Sequence, residues 1–471
     1  MIGEEVTLTE QLASCWAGRS LESIPPAEVA GIKSNILDTL AVALAGSTTP
    51  EAARVASALV GSSAPRFGST VWGTPHLLPP GWAALANGTA AHARDFDDGG
   101  GPGHAGSTVL PAALALAEQR GCDGATLVAA TIAGYDIGFR VLQALGGFAA
   151  HTERGWHTTG TMGSFAAAAA AARILELDAD RFADALGVAG SFTGGIWSFI
   201  DDGAMTKRFH PGKAGEAGVD AALLAEAGFT GPRRVFEAEW GGIYAAYNGG
   251  MAFPDRALHR LGEDFSVKEA WLKPHACCRG SQSSIDAVLA LVAARDLAPA
   301  DIRRITIAAA ETQVNMLSVY PIETVFDAQF SLPYAVSVAL VARTAGLDQF
   351  DPPRLDVPEV REMFDKVVIR PEAGIAMLDG PRLDVELITG EMVTLLAGDP
   401  TNAKGSKFNP MSFDEVVEKA ESLLVPFGPG TARDLVHAVE RLDQAPDLTE
   451  LLDVLRQRPR NDRRGKALES A

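Results

Sequence analysis

Three histidines stand just ahead of alanine-rich stretches: His104 before residues 108–120, His157 before 160–177 and His210 before 211–227. Histidine is the side chain whose unperturbed pKa lies nearest neutrality, so each is a candidate proton carrier. A helix start beside it would supply unpaired backbone N–H groups and about half a positive charge, which together favour a neighbouring anion. The third stretch is the richest, reading Met205-Thr206-Lys207-Arg208-Phe209-His210-Pro211-Gly212-Lys213, with Pro211 suited to the first helical position. Lys207, Arg208, His210 and Lys213 would then converge on one helix start. The plainer reading is a basic turn paired with acidic neighbours such as Asp201 and Asp202. The chain's net charge of −19 favours an anion pocket, because a basic cluster in so acidic a protein needs a local reason.

A second concentration is Asp95-Phe96-Asp97-Asp98, followed by Gly99-Gly100-Gly101-Pro102-Gly103-His104, whose glycines would let the backbone approach a ligand closely. Carboxylates and a histidine this near can share proton-transfer work. A helix cap with solvated acids, or a calcium-type loop, are the bland alternatives. The third is Lys273-Pro274-His275-Ala276-Cys277-Cys278-Arg279, from which Lys273 would close over a substrate held elsewhere.

Positioning these groups falls mainly to helices. From residue 7 to about 262 apolar residues recur with a 3.6-residue period, broken by Gly and Pro, which predicts one large all-α domain. Segments 109–119, 163–177 and 214–227 are rich enough in Ala and Gly for close helix–helix approach and are the predicted inner layer. Around Trp271 the texture changes. A helix over 283–294 precedes strand-like runs at 303–310, 366–370, 383–388 and 391–396, the last two joined through Thr389-Gly390. Helical periodicity resumes at 412–424 and continues to about 455, and the polar, basic tail from 456 is expected to fray. The expected fold is mainly α: a large helical domain (1–267 and 405–471) with an inserted smaller α+β lid domain (268–404).

A chain of 471 residues, 47% of them hydrophobic, can bury a large core, which excludes disorder as its main state. Its acidity argues against nucleic acid or an anionic membrane as partner. The first 25 residues lack the basic start and apolar run of a signal peptide. Apolar stretches such as 125–147 are interrupted by Asp136 and Arg140, so no membrane segment and a cytoplasmic location are expected. Cys15, Cys122, Cys277 and Cys278 form neither a secreted disulfide framework nor a spaced ligand set, and read as reduced thiols. An iron–sulfur centre needs more well-placed thiolates than this, so neither metal nor cofactor is expected.

Taken together, the motifs resemble a known family. They are His92-Ala93-Arg94-Asp95-Phe96-Asp97-Asp98, Val109-Leu110-Pro111-Ala112-Ala113-Leu114-Ala115-Leu116-Ala117, Gly155-Trp156-His157-Thr158-Thr159-Gly160-Thr161, the Met205–Ala214 run and Gln329-Phe330-Ser331-Leu332-Pro333-Tyr334-Ala335. In this order, from the first helix to about residue 424, they resemble the MmgE/PrpD family of 2-methylcitrate dehydratases, cis-aconitate decarboxylases and iminodisuccinate epimerases. The resemblance implies a homodimer, a helical domain with an inserted lid, an active site in the cleft between them, and a small anionic polycarboxylate as substrate. Carried over by motif, Asp95, His104, His157, Lys207 and Lys273 fall on the family's active-site positions. Arg208, His210 and Cys278 are the candidate substrate-binding residues. Three positions depart from the family pattern. Gly99 replaces a threonine often seen after the double aspartate, His104-Ala105-Gly106-Ser107 replaces His-Pro-Ser, and Cys278 stands where decarboxylase-like members have histidine.

Members of the family share one difficult step, removal or return of a weakly acidic proton next to a carboxylate. The dianionic intermediate needs fixed positive charge, which Lys207, Lys273 and helix N-termini would supply. His157 is the first choice of proton carrier, with His104 or Asp95 to replace it. The expected function is a lyase, first a 2-methylcitrate dehydratase-like hydro-lyase, with a cis-aconitate decarboxylase-like enzyme or iminodisuccinate epimerase-like isomerase as alternatives. A non-catalytic carboxylate-binding protein is the alternative of another class.

Overall fold

Alanine and glycine decide how closely helix axes can approach, and the first half of the chain uses them where its helices cross. A computed structural model describes residues 6–62, 67–101, 103–377, 379–398 and 402–460; of the expected frayed tail, 461–471 lie outside the described residues. The helices that frame the core are α1 (Pro26–Ser47), α2 (Pro80–His92), α3 (Ala105–Arg120), α4 (Gly124–Ala144), α5 (Gly163–Ile174) and α6 (Thr206–Glu226). Every residue of α5 is buried. Helix α6 packs on α2 and α5, and α3 packs on the same two helices. A Cβ added at Gly88 of α2 would stand 2.6 Å from the Ser107 carbonyl oxygen of α3 and 2.7 Å from Gly212 Cα of α6, so three backbones meet there with no room for a side chain. Within the predicted inner segments, a Cβ added at Gly218 of α6 would stand 2.4 Å from Ala167 Cβ of α5, so these two helices approach closely as expected.

Helices α1 and α4 are long and apolar enough to cross a membrane, yet their most apolar windows are 78% and 83% buried within the fold, which makes them core helices. The charges that interrupt α4 are satisfied inside it. Arg140 Nε pairs with Asp136 at 2.9 Å, and Asp136 also accepts from Trp16 Nε1 and Ser266 Oγ, each at 2.9 Å.

The second half adds α7 (Gln282–Arg295), β1 (Ile302–Ala309), α8 (Leu332–Ala342), β2 (Val367–Pro371), β3 (Arg382–Leu387), β4 (Met392–Leu396) and α9 (Phe413–Leu424). The four strands form one sheet in the order β2-β1-β3-β4, parallel between β1 and β2 and antiparallel elsewhere. They are the four strand-like runs of the sequence. Helix α9 then returns to the first half and packs on α1.

The start of α6 differs from the sequence reading in a way that bears on the site. Helix α6 begins at Thr206, so His210 and Pro211 lie inside it rather than at its start. Proline lacks the N–H that would bond to the Lys207 carbonyl four residues earlier, and an α-helix tolerates that loss best near its first turn. The consequence is that Lys207 and Arg208, not His210, occupy the first turn.

Candidate active site

Helix α2 ends at His92, and the chain then turns through Asp95 in the left-handed region, φ 49°. Aspartate tolerates that backbone better than most residues. The turn directs Asp95, Asp97 and Asp98 inward, where all three are buried, which sets aside the solvated-cap reading. Three connections hold this loop against the rest of the molecule. Gly99–Gly100 pairs antiparallel with Ala270–Trp271, and Gly100, at φ 75°, could not carry a Cβ without striking the Glu269 carbonyl oxygen. Lys419 of α9 donates to Phe96 O at 2.7 Å and Lys273 O at 3.0 Å while pairing with Asp38 of α1 at 2.7 Å. Gln329 donates to Arg94 O and Ala276 O, and its own carbonyl oxygen accepts from the Cys278 N–H.

The site is built on Asp95. Its Oδ1 accepts from Lys207 Nζ at 2.8 Å and from Lys273 Nζ at 3.2 Å, and its backbone oxygen takes a further bond from Lys273 at 2.7 Å. Both lysines are buried. Lys207 Nζ also lies 2.7 Å from His92 Nε2. Arg208, buried beside it, donates from Nη2 to Gln329 Oε1 at 2.8 Å, whereas its Nη1 has no partner among the described residues. Across from the lysines, His104 lies 4.2 Å from His92, ring centre to ring centre, and 6.3 Å from His157. His157 Nδ1 meets His210 Nδ1 at 2.9 Å, and Trp197 and Phe199 stand edge-on to the His157 ring.

The partners of His104 assign its proton. Nδ1 is 2.6 Å from the Asp98 carbonyl oxygen and 3.2 Å from Asp97 Oδ2. Both oxygens can only accept while Asp97 is ionised, so Nδ1 carries the hydrogen and Nε2 keeps its lone pair. His157 and His210 share one hydrogen bond that either ring could donate, so their tautomers are not determined by partners.

Burial opposes the charge on every group here, and the neighbours decide which groups keep it. Burial alone would raise Asp95, but Lys207 and Lys273 hold its carboxyl well below the usual carboxylate range. Asp97 is likewise held well below that range despite burial, by His92 and His104. Burial, reinforced by the adjacent Asp97 charge, pushes Asp98 up to about 8, so Asp98 is a neutral acid. Burial lowers His104, and lowers His92 and His157 well below the ordinary histidine value; all three are neutral. His210 falls to about 4 through burial and then Lys207. Lys207 falls to about 8 because burial outweighs Asp95, whereas Asp95 and Asp97 overcome burial and raise Lys273. Burial and then Asp95 push the Cys278 thiol up, so it stays protonated.

The structure thus brings Asp95, His104, His157, Lys207, Arg208, His210 and Lys273 into one region, with Cys278 buried in the segment that carries Lys273. Lys213 does not join them. Its side chain is half exposed and pairs with Glu216 at 2.7 Å, since it lies past the first turn and on the outer face of α6. Asp201 and Asp202 are exposed and are not the partners of Lys207. His92, Gln329 and Lys419 are not singled out by the sequence, and Asp97 only as one of the carboxylates beside Asp95. His92, Asp97 and Gln329 lie in the quoted motifs; nothing in the 412–424 periodicity marks Lys419.

The ligand atoms of His92, His104 and His157 lie within 4.8 Å of one another, as do those of His92, Asp95 and Asp97, spacings that a divalent cation can use. The surroundings do not fit one. Lys207 already stands on His92 Nε2, and both lysines hold Asp95. Lys207, Lys273 and Arg208 outnumber the ionised carboxylates Asp95 and Asp97, so the site suits an anion.

Residues 10–254 match the model of the MmgE/PrpD N-terminal domain, and residues 275–444 match that of the MmgE/PrpD C-terminal domain. A cis-aconitate decarboxylase-like protein of Aspergillus oryzae is 30% identical over 480 residues, covering 96% of this chain and 98% of that protein. The human cis-aconitate decarboxylase is 31% identical over 378 residues, 77% of this chain and 76% of its own length. That of Aspergillus terreus is 27% identical over 473 residues, 93% and 94% of the two chains.

Proposed function

The chain belongs to the MmgE/PrpD family and is by that kinship a lyase-type enzyme; from this premise we propose that it acts on a small polycarboxylate by proton transfer next to a carboxylate, with decarboxylation of a cis-aconitate-like acid as its reaction. One observation carries the reading: an unprotonated His104 Nε2 and a buried Lys207 ammonium face the same region, a base and an acid whose pKa values burial lowers together, Lys207 to about 8. Lys207, Lys273 and the open Nη1 of Arg208 hold the substrate's carboxylates. The entering anion raises the proton affinity of His104, so that Nε2 takes up a proton from solvent and delivers it to the carbon that receives the electron pair as carbon dioxide leaves. The names of the relatives favour decarboxylation over the dehydration that the sequence reading put first. Dehydration is the second reading. It needs a base for the carbon-bound proton and an acid for the departing hydroxyl, and Cys278 stands where decarboxylase-like members have histidine. Residues 268–404 are the proposed lid, bringing Lys273 to the substrate, and a cytoplasmic location is part of the same proposal. Incubation with cis-aconitate, citrate, 2-methylcitrate and iminodisuccinate in deuterated water, followed by proton NMR, tests the reading. Turnover of none of the four, with a tricarboxylate still bound, would leave a carboxylate-binding protein.

Lys207 offers a graded check. Replacing it with methionine should weaken binding of a non-reacting tricarboxylate analogue by about 1.5–3 kcal/mol, the range for a charged hydrogen bond. In the wild type, affinity should fall as pH rises through about 8, because a lysine with a lowered pKa loses its charge there while Asp95 remains ionised. Arg208 and Lys273 lower that pKa, and the neutral His92 accepts from the ammonium. Lys207→Arg should move the alkaline limb upward in calorimetric titrations at several pH values. A limb that stays near 8 in that variant would assign it to another group.

A homodimer is also proposed. Phe192, Ile196, Met205 and Phe209 are exposed apolar side chains on the same stretch that carries Lys207 and His210, an unusual concentration for a free surface. Light scattering should give about twice the 49.3 kDa chain mass, and a clean monomer at micromolar concentration would remove the dimer from the proposal.

A further inference from the structure

We propose that Asp97 is a positioning residue that sets the tautomer of two active-site histidines at once, so that His92 and His104 both present an unprotonated Nε2. The argument begins with what Asp97 touches. Its carboxylate is wholly buried and contacts neither lysine. Oδ2 accepts from His92 Nδ1 at 2.9 Å and from Ser107 Oγ at 2.9 Å and lies 3.2 Å from His104 Nδ1, and Oδ1 lies 3.1 Å from His92 Nδ1. An ionised carboxylate has no hydrogen to give, so each imidazole must place its own on Nδ1.

The two Nε2 atoms then have different uses. That of His92 accepts from the Lys207 ammonium and fixes where its charge sits. That of His104 has no partner among the described residues and is the site's free base. Asp98 cannot replace Asp97 in this role. Its carbonyl oxygen reaches His104 alone, and its carboxyl group is engaged by Tyr135 Oη at 2.7 Å and the Gly106 N–H at 3.0 Å. One buried carboxylate therefore orients both the base and, through His92, the lysine. The competing structural role is a tie to the start of α3 through Ser107.

Asp97→Asn keeps the shape but gives the side chain an amide that can donate. One imidazole would then turn acceptor at Nδ1 and carry its hydrogen on Nε2. The kinetic part of the test rests on the proposed lyase reaction; the spectroscopic part does not. Long-range 1H–15N NMR of wild-type protein labelled at histidine should show Nδ1–H tautomers for both His92 and His104. An Nε2–H tautomer at either would overturn the proposal, whether or not any substrate is turned over.

Given a substrate, Asp97→Asn should lower kcat by about 10³- to 10⁴-fold, as expected when a base is held in the wrong tautomer. It should also move the limb of the pH profile that reports His104 to lower pH. His104 faces Asp97 and the neutral Asp98 from its own loop, and His92, His157, Lys207 and Lys273 from the surrounding elements. Of these, only Asp97 is a carboxylate within reach that favours its protonation. A lower rate with an unmoved limb would identify a structural role instead. Ser107→Ala, which removes the tie to α3 and leaves both imidazole contacts, should stay within about threefold of wild type. A loss in Ser107→Ala as large as that in Asp97→Asn would likewise overturn the assignment.

Discussion

Replacing His104 with glutamine is expected to lower kcat by about 10²- to 10⁴-fold while leaving KM nearly unchanged, with delivery of solvent deuterium to the product's carbon falling in step even at saturation. The expectation follows from the tautomer. His104 Nδ1 is committed to acceptors, its Nε2 is open, and burial lowers its pKa so that the ring is neutral before substrate arrives. His157 is differently placed. Its Nδ1 shares a hydrogen bond with His210, and Trp197 and Phe199 flank its ring. His157→Gln should therefore reduce turnover less and retain deuterium incorporation. Deuterium incorporation that survives loss of His104 but not loss of His157 would return the role of proton carrier to His157.

The largest expected effect on stability is at Asp95. Asp95→Ala leaves the buried Lys207 and Lys273 without their shared carboxylate, and breaking a buried ion pair from one side costs about 3–5 kcal/mol. Alanine adds a backbone cost of about 1–2 kcal/mol at φ 49°, which Asp95→Asn avoids because asparagine tolerates the left-handed region. Urea denaturation of both variants separates the two causes. The asparagine variant should retain most of the loss, since the charge is gone while the backbone preference remains. Lys207→Met in the Asp95→Asn background should recover part of it, a coupling that a double-mutant cycle measures directly. An asparagine variant as stable as wild type would mean that the lysines are held by something other than Asp95.

Much of the architecture was legible in the order of residue types. Periodicity and Ala/Gly content located α3, α5 and α6 and the four strands, because burying one face of an element leaves a regular trace along the chain. The start of α6 was misplaced because Pro211 is acceptable both at a helix start and a little inside one, so local chemistry left two answers. Lys213 was grouped with Lys207 and Arg208 for the same reason: neighbours in sequence share a helix but not a face.

The site divides in the same way. Residue types alone marked Asp95, His104, His157, Lys207 and Lys273 as able to do chemistry, and the motifs that contain them pointed to the family. Partners could not be read along the chain, because hydrogen bonds such as Lys207–His92, Lys273–Asp95 and Lys419–Phe96 join residues more than a hundred positions apart. Nor could protonation, since burial and the nearest charges set it, and both exist only after packing. Asp97 and Asp98 are adjacent and identical in sequence. Only the tertiary structure makes one a carboxylate that orders two histidines and the other a neutral acid at about 8, because one faces imidazole donors while the other is desolvated beside its neighbour's charge.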